Sequence, residues 1–259
     1  MVEQTSTPNA LSGLLFFFVI TSIYFAIKLS SKSAQTTKIW TIIYFLTVII
    51  GEYFINLTAT NQLCGNAQYT TAIYVTMIPW IIIFGLLNLM LIMFPGWLVP
   101  FSNTFGYLAA KLTDVDSLFK KMLVPKFTGT TIDDKLGNEA LAYMRPNPTL
   151  LINKITESNF DNFWSEMSTN GQFFVDNVEQ YKEQLRSYIN LKDTVSLFIW
   201  YMLTGGLVTS VSYNYIVNAG CKQTAKEIED RHKDYVDKQK QILKDNDENG
   251  EPRIYKISD

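Results

Sequence analysis

Four long apolar segments constrain the fold of this chain more than any other feature of its sequence. They contain only two charged residues, Lys28 and Glu52, and they cover residues 10–29, 39–57, 72–94 and 195–217. Each has about the 20 residues that cross a hydrocarbon layer ~30 Å thick at a rise of ~1.5 Å per residue. Because lipid offers the backbone no hydrogen-bond partner, a single spanning segment must be helical. We therefore expect an all-α polytopic membrane protein with about four transmembrane helices.

A soluble helical core and a cleaved signal peptide both fit the apolar segments less well. A soluble protein with a large helical core would keep a polar stripe on most of its helices, and the third segment has none. A cleaved signal peptide would carry basic residues before its apolar run, whereas this chain carries Glu3 there and no small-residue cleavage pattern afterwards. We expect the first segment to stay in the mature protein.

The lysines of the short connectors predict the orientation in the membrane, because cytosolic loops are enriched in Lys and Arg. The connector after the first segment carries Lys32 and Lys38, with Lys28 just before it, whereas residues 58–71 carry no charge. We place this connector and residues 111–193 on the cytosolic side, and the N-terminus, residues 58–71 and the C-terminal tail opposite. Three basic residues of the tail near the fourth segment count against its placement, although long translocated stretches follow the charge rule less strictly.

Residues 95–110 form a shorter aromatic segment after the third span. Pro95 and Pro100 prevent the third helix from simply continuing, and the apolar run is too short to cross the bilayer. The aromatic pattern predicts an interfacial helix whose rings lie at headgroup depth, namely Trp97, Phe101, Phe105 and Tyr107. The alternative is a re-entrant crossing, which would move the C-terminal tail to the cytosolic side.

The string FPGWLVPFSNTFGYLAA, at residues 94–110, resembles a segment of small membrane proteins of the nucleocytoplasmic large DNA viruses, the chlorovirus and giant-virus group. Members of that group include virion proteins embedded in the lipid layer beneath an icosahedral shell, and some of these are minor capsid proteins. The resemblance implies a structural virion role in the inner membrane, with assembly at host intracellular membranes and capsid proteins as partners. It implies no catalytic residue and no cofactor.

The chain between the third and fourth spans, residues 111–194, changes to amphipathic patterns typical of short helices. We expect a small helical domain that lies against the membrane. Four lysines follow the interfacial segment, namely Lys111, Lys120, Lys121 and Lys126. They either dock to anionic lipid headgroups, at about 1 kcal/mol for each lysine near the surface, or form an ordinary solvated helix face.

The tail over residues 218–259 is strongly charged, with nine basic and ten acidic side chains from residue 222 onwards. Ile228, Tyr235 and Ile242 recur at intervals of seven residues, as in a helix with one apolar seam. The high charge favours a solvated helix that frays into disorder. An arm that reaches another subunit is the alternative.

The sequence offers little material for catalysis. Its one histidine, His232, lies among charged residues of the tail, so the folded body has no histidine for a Ser-His-Asp triad or a His-rich zinc site. It contains neither a glycine-rich phosphate loop with its lysine nor an HExxH pair. A formal net charge of −2 argues against nucleic-acid binding through bulk electrostatics. We expect no enzyme, and no cofactor, metal ion, nucleic acid or small-molecule substrate.

Glu52 is the candidate for a special environment, because a charge near the middle of a bilayer costs about 2.5 kcal/mol or more. We expect its side chain to face other helices and to be protonated. We predict a hydrogen bond from Glu52 to a group at a similar depth, namely Thr209, Ser210 or backbone freed by Pro79. A structural role is the function we favour, and a small ion or proton channel, a transporter or a viroporin centred on Glu52 is the alternative.

Two further features concern contacts between the spans. Gly205 and Gly206, with two small hydroxyl residues one turn further on, form a face that lets another helix approach closely. The expected neighbour is a helix of the same chain. Cys64 and Cys221 both fall on the non-cytosolic side, where a disulfide and two free thiols are equally consistent with the sequence.

Overall fold

The protein is represented by a computed structural model that describes residues 11–31, 33–127, 132–170, 173–219, 221 and 225–248. The described chain is 86% helical with no strands, and four of its helices are long and apolar enough to cross a membrane. The expected all-α membrane fold is confirmed. The chain divides into two compact units, residues 1–218 and residues 219–259.

The first two spans are α1, Leu11–Ser30, and α2, Ala34–Cys64. α2 has 31 residues and extends the second apolar segment at both ends. At its start the side chain of Ser33 accepts a hydrogen bond from a backbone N–H of the first turn, as N-cap serines do. It ends at Gly65, whose φ of 68° is the left-handed conformation that glycine favours after a helix.

The third span consists of α3, Tyr69–Ile78, a π-helical turn over Pro79–Phe84, and α4, Gly85–Met93. Pro79 has no N–H to donate, so the regular helical hydrogen bonds are interrupted at this residue. The chain passes through the wider π geometry and then resumes as an α-helix. The span ends before a second proline, which cannot continue the helix.

Short helices connect the third span to the fourth. The connecting segment, as we call it, comprises a 3-10 turn over Pro95–Leu98, α5 over Val99–Phe101, a π-helical turn over Ser102–Gly106 and α6 over Tyr107–Lys111. The helical domain that follows contains α7, Val115–Met122, α8, Ile132–Met144, and α9, Phe160–Ser165, with 3-10 turns over Pro148–Lys154 and Val178–Tyr181 and a π-helical turn over Glu166–Asn170. These elements lie in the part of the sequence where amphipathic helices are predicted.

A single helix, α10, covers Lys182–Asn218 and forms both the last part of the helical domain and the fourth span. The sequence predicts two elements here, an amphipathic helix of the domain and a separate span that begins at Val195. They merge because no proline or glycine interrupts residues 182–204. At ~1.5 Å per residue, the 37 residues of α10 are about 55 Å long.

The membrane bundle, which is α1, α2, the third span and residues 195–218 of α10, packs around an aromatic core. α10 contacts each of the other three spans. The aromatic core consists of Phe17, Tyr24, Phe25, Tyr44, Val48, Trp80, Phe84, Leu91, Trp200, Tyr201 and Val208. Large apolar side chains on the outside of the bundle are exposed, among them Leu15, Ile42 and Ile92, and this distribution suits contact with lipid.

The helical domain has its own core, where α7, α9 and the first part of α10 meet. The core includes Val115, Phe119, Met122, Ile152, Phe160, Trp164, Leu185 and Ile189. An isolated antiparallel bridge joins Leu123 and Phe174, and beside it the N–H of Val124 donates to the carbonyl of Phe173 at 2.9 Å. Ala110 belongs to the same core, so the connecting segment ends inside the domain.

The second unit contains α11, Ala225–Glu248. Tyr235 and Ile242 of the predicted apolar seam are exposed, and the side chain of Ile228 lies outside the described residues. His232 is exposed. Cys221, which precedes the helix, is disulfide-bonded.

Candidate functional site

The membrane bundle has two distinct ends. We call the end that carries the helical domain the inner end, and the end with the start of α1 and with Cys64 the outer end. Cys64 is buried and disulfide-bonded. Disulfides are rare in the cytosol, so a disulfide at the outer end agrees with the orientation that the lysines predict.

The carboxyl group of Glu52 lies inside the bundle, where α1, α2 and α10 meet. Its side chain is 1% exposed. A Cβ built on Gly13 of α1 would lie 3.1 Å from Glu52 Oε2 and 2.8 Å from Thr209 Cγ2. Because Gly13 has no side chain, Glu52 and Thr209 can both lie against the same point of α1. Glu52 therefore faces other helices, as expected from its cost in lipid.

The hydrogen bond that we predict for Glu52 from the sequence is wrong. Neither carboxyl oxygen of Glu52 has a hydrogen-bond partner among the described residues, and neither does the hydroxyl of Thr209. Ser210 is exposed, and its hydroxyl donates to the carbonyl of Gly206 in the same helix. Pro79 is buried but provides no partner for Glu52. Thr209 lies at the predicted depth, because it contacts the same point of α1 as Glu52. Adjacent helical residues point ~100° apart, so Thr209 faces the bundle interior and Ser210 faces the bundle surface.

Buried polar side chains continue from Glu52 towards the outer end. Asn56, one turn further along α2, donates from Nδ2 to the hydroxyl of Thr76 at 2.8 Å. Ser212, one turn beyond Thr209 on α10, is fully buried, and its hydroxyl has no partner among the described residues. Polar side chains therefore extend through the bundle interior from Glu52 towards the outer end.

Aromatic side chains fill the interior on the inner side of Glu52. Phe17 lies one turn after Gly13 on α1, towards the inner end. It packs against Trp80 and Phe84, with ring centroids 5.4 and 6.3 Å apart. Tyr201 packs edge-on against Phe84 at 5.4 Å. The layer directly inward of Glu52 is thus aromatic, and buried hydroxyls follow beyond it, where Thr21 and Tyr44 share a hydrogen bond at 3.0 Å.

The two glycines of the fourth span have different neighbours. Gly205 is buried, and a Cβ on it would overlap the ring of Phe17 of α1. A Cβ on Gly206 would lie 3.8 Å from Leu14 Cδ2, which is an ordinary contact. Both glycines are predicted to let another helix approach closely. Only at Gly205 does the close contact with α1 depend on the absence of a side chain.

Gly205→Ala is expected to destabilise the bundle, and Gly206→Ala is its matched control. The added methyl at position 205 must displace Phe17 from the aromatic core, and overpacking of this kind costs about 1–3 kcal/mol. At position 206 the methyl has room and alanine favours the helix, so stability should be kept or slightly increased. Thermal unfolding of the purified protein in detergent micelles measures both effects. Equal losses in the two variants would contradict this assignment.

A buried lysine lies where α10 leaves the helical domain. Lys192 has no exposed surface, and its Nζ donates to the carbonyls of Ile152 at 3.0 Å and Ile155 at 2.5 Å. The carboxylate of Asp193 lies 3.5 Å from the same nitrogen. Sequence reasoning missed Lys192, because a Lys-Asp pair just before an apolar span is typical of an exposed membrane boundary.

The connecting segment follows α10 from the membrane bundle to the helical domain. Trp97 and Phe101 pack on Trp200, with ring centroids 6.4 and 5.7 Å apart. Further along, Gly106 lies against the turn of α10 that contains Lys192. The segment therefore continues towards the inner end and packs lengthwise on α10, and it does not turn back into the bundle as a re-entrant crossing would.

All four predicted interface residues are partly exposed. Trp97 and Phe105 have about half of their surface exposed, whereas Phe101 and Tyr107 are half-buried. The predicted headgroup lysines are all exposed, namely Lys111, Lys120, Lys121 and Lys126. Their docking to anionic lipid stays a prediction.

Within the described residues, no group of three or more His, Cys, Asp or Glu side chains is arranged to hold a metal ion. Three features of the geometry indicate function instead: the continuous helix α10, the buried Lys192 at its junction with the domain, and the unpartnered carboxyl of Glu52. A comparison of the chain with protein-family models, characterised proteins and solved structures found no match.

Proposed function

We propose that this chain is a structural membrane protein that holds its helical domain in a fixed place above a lipid bilayer. In its more specific form, the proposal is a minor capsid protein of a large DNA virus, anchored in the inner membrane of the virion and linking that lipid layer to the capsid shell. During assembly the chain would reside in an intracellular membrane of the host.

The continuity of α10 is the observation that carries the linking role. One helix supplies Leu185 and Ile189 to the core of the helical domain, and Tyr201 and Val208 to the aromatic core of the bundle. Moving the domain relative to the bundle must therefore bend or break a helix. The connecting segment runs beside α10 across the same junction and stiffens it. Such a junction transmits force between a membrane and a protein partner, as a tether must.

The resemblance at residues 94–110 supports the viral form of the proposal. These residues cover the connecting segment up to Ala110, and its rings of Trp97 and Phe101 pack on Trp200 of α10. The residues that carry the resemblance are thus residues that brace the junction between bundle and domain. A shared requirement for a rigid junction is a physical reason for a shared sequence at this place.

The helical domain offers a surface for a capsid partner. Leu136 and Tyr143, two turns apart on α8, have 59% and 86% of their surface exposed. Exposed apolar and aromatic side chains of this size are enriched where proteins bind one another. This face of α8 is our candidate for the contact with the shell.

The composition of purified particles tests the viral form of the proposal. In particles of the virus that encodes it, the protein should be present in a fixed ratio to the major capsid protein. Amine-reactive cross-linking of intact particles should join exposed lysines of the helical domain, such as Lys121 and Lys135, to capsid proteins. Absence of the protein from particles would refute the virion role.

A channel or transporter centred on Glu52 is the second candidate, and the unpartnered carboxyl of Glu52 favours it. Proton flux across vesicles that contain the purified protein separates the two candidates. A structural protein should leak no more than empty vesicles, both as wild type and as Glu52→Gln. A flux that the wild type shows and Glu52→Gln lacks would support the channel.

A further inference from the structure

We propose that Glu52, Thr209 and Ser212 form a proton-binding site inside the membrane bundle, and that this site exchanges its proton with the outer end and not with the inner end. The ligand is a proton carried by the Glu52 carboxyl. The inference goes beyond the structural role and does not depend on it.

The surroundings of Glu52 disfavour the ionised form of its carboxyl group. Its two oxygens are buried without hydrogen-bond partners among the described residues, and an ionised group in such a place costs several kcal/mol. Lys28 is the only basic residue in the four apolar segments. It lies 15 residues along α1 from Gly13, about 22 Å further inward. With no cation of these segments nearby, the neutral acid is the form that this interior accommodates.

The oxygens around Glu52 suit a proton better than a metal ion. Among the described residues, the buried unpartnered oxygens here are the two of Glu52 and the hydroxyls of Thr209 and Ser212. Calcium and magnesium take about six or more oxygen ligands. A protonated carboxyl needs one acceptor for its O–H. Thr209, whose methyl Cγ2 lies against the same point of α1, has a hydroxyl with no partner among the described residues, and a rotation of its side chain would present that hydroxyl as the acceptor.

Within the described part of the bundle, no other charged group faces the site from the helices around it. The other ionisable side chains in this interior are tyrosines, which are neutral at physiological pH. They are Tyr24 from α1, Tyr44 and Tyr53 from α2, and Tyr201 and Tyr213 from α10; Tyr74 of α3 is exposed. The charge of the site is therefore set by Glu52.

The direction of exchange follows from what lies on each side of Glu52. Towards the outer end, the interior contains the buried polar residues Asn56, Thr60, Thr76 and Ser212, beside a small apolar cluster of Ala59, Val75 and Ile216. Hydroxyl and amide groups of this kind can pass a proton along hydrogen bonds or hold a bridging water.

Towards the inner end, the same helices supply tightly packed apolar and aromatic groups at the next turn. Val48 of α2 and Phe17 of α1 are fully buried, and the ring of Phe17 fills the space beside Gly205. Trp80 and Phe84 pack against that ring. The layer directly outward of Glu52 therefore holds hydroxyl and amide groups, and the layer directly inward is apolar and aromatic. Beyond that inward layer, the hydroxyls of Thr21 and Tyr44 share a hydrogen bond at 3.0 Å.

The test is labelling of the full-length protein in vesicles with an apolar carbodiimide, dicyclohexylcarbodiimide. The O–H of a protonated carboxyl adds across one C=N bond of the reagent, and the adduct rearranges to a stable N-acylurea without a leaving group. We expect mass spectrometry of the peptides to find the whole reagent on Glu52 at neutral pH. The label should fall when the pH at the outer end is raised and should not respond to the pH at the inner end.

The controls separate the site from general reactivity and from misfolding. Glu52→Gln, an uncharged residue of the same shape, should lose the label while its circular dichroism stays that of the wild type. Glu139→Gln, on an exposed position of α8, should keep the label on Glu52 unchanged. Protease cleavage of the helical domain in the same vesicles assigns the compartment that faces each end.

Three outcomes would overturn the proposal: a folded wild type with no label on Glu52 at any pH, a label that follows the pH of the inner end, and a proton flux that Glu52→Gln abolishes. The last would show a route through the aromatic layer. The presence or absence of the protein in virus particles bears on the structural role alone, so the two ideas can fail separately.

Discussion

Lys192→Met is expected to destabilise the helical domain by about 2–5 kcal/mol. Methionine fills most of the space of the lysine stem, but it leaves the carbonyls of Ile152 and Ile155 without the donor that Lys192 provides. A lost hydrogen bond to a charged donor costs about 1.5–3 kcal/mol. The carbonyl of Ile152 keeps a second donor, the N–H of Ile155 at 3.2 Å, so the larger share of the cost falls on Ile155. The carboxylate of Asp193 also loses its cationic neighbour.

Lys154→Met is the matched control for this change. Lys154 belongs to the same 3-10 turn and is exposed, and surface substitutions usually alter stability by less than about 0.5 kcal/mol. Hydrogen exchange of the full-length protein in micelles should become faster over residues 148–155 in Lys192→Met and stay unchanged in Lys154→Met. If neither variant changed exchange there, Lys192 would not be what holds this turn on α10.

Gly106→Ala is expected to push the connecting segment away from α10. A Cβ at this position would lie 2.5 Å from the carbonyl oxygen of Lys192 and would overlap the hydroxyl of Ser196. A backbone oxygen cannot rotate away as a side chain can, so one of the two helices must move. Overpacking typically costs about 1–3 kcal/mol, and more when the backbone shifts.

Gly96→Ala provides the comparison, because no atom lies within 4 Å of a Cβ at that position. For a chain of this size, each kcal/mol lowers the unfolding temperature by roughly 2–4 °C. We therefore expect Gly106→Ala to unfold roughly 2–12 °C lower than the wild type in thermal scans in micelles. Gly96→Ala should be close to the wild type. A Gly106→Ala protein as stable as Gly96→Ala would show that the close approach to α10 is not required.

The positions of the four spans could be predicted because composition alone decides whether a segment can lie in lipid. Their ends could not, and α2 shows why. Hydropathy falls after Leu57, yet the helix continues to Cys64. The hydroxyls of Thr58 and Thr60 donate to backbone carbonyls of the preceding turn, so these polar residues are satisfied inside the helix. The end of an apolar segment therefore does not mark the end of its helix.

The candidate site could be predicted only in part. The cost of a charge in lipid predicts that Glu52 faces the bundle interior. The depth of Glu52 in the membrane does not predict whether Thr209 or Ser210 faces it, because packing with α1 sets the rotation of α10 about its axis. Lys192 could not be predicted at all. Its partners are carbonyls 40 and 37 residues away along the chain, and a contact of that kind leaves no local pattern in a sequence.

Because α10 is one continuous helix, a change in the tilt of its transmembrane part also tilts its part in the helical domain. A transmembrane helix adapts to a thinner hydrocarbon layer by tilting, and α10 is continuous between the two cores, with no break at which the domain could compensate. For a rod of about 55 Å, a tilt of ~10° displaces one end sideways by about 10 Å relative to the other. The thickness of the membrane would therefore set the angle at which the domain meets whatever lies above it.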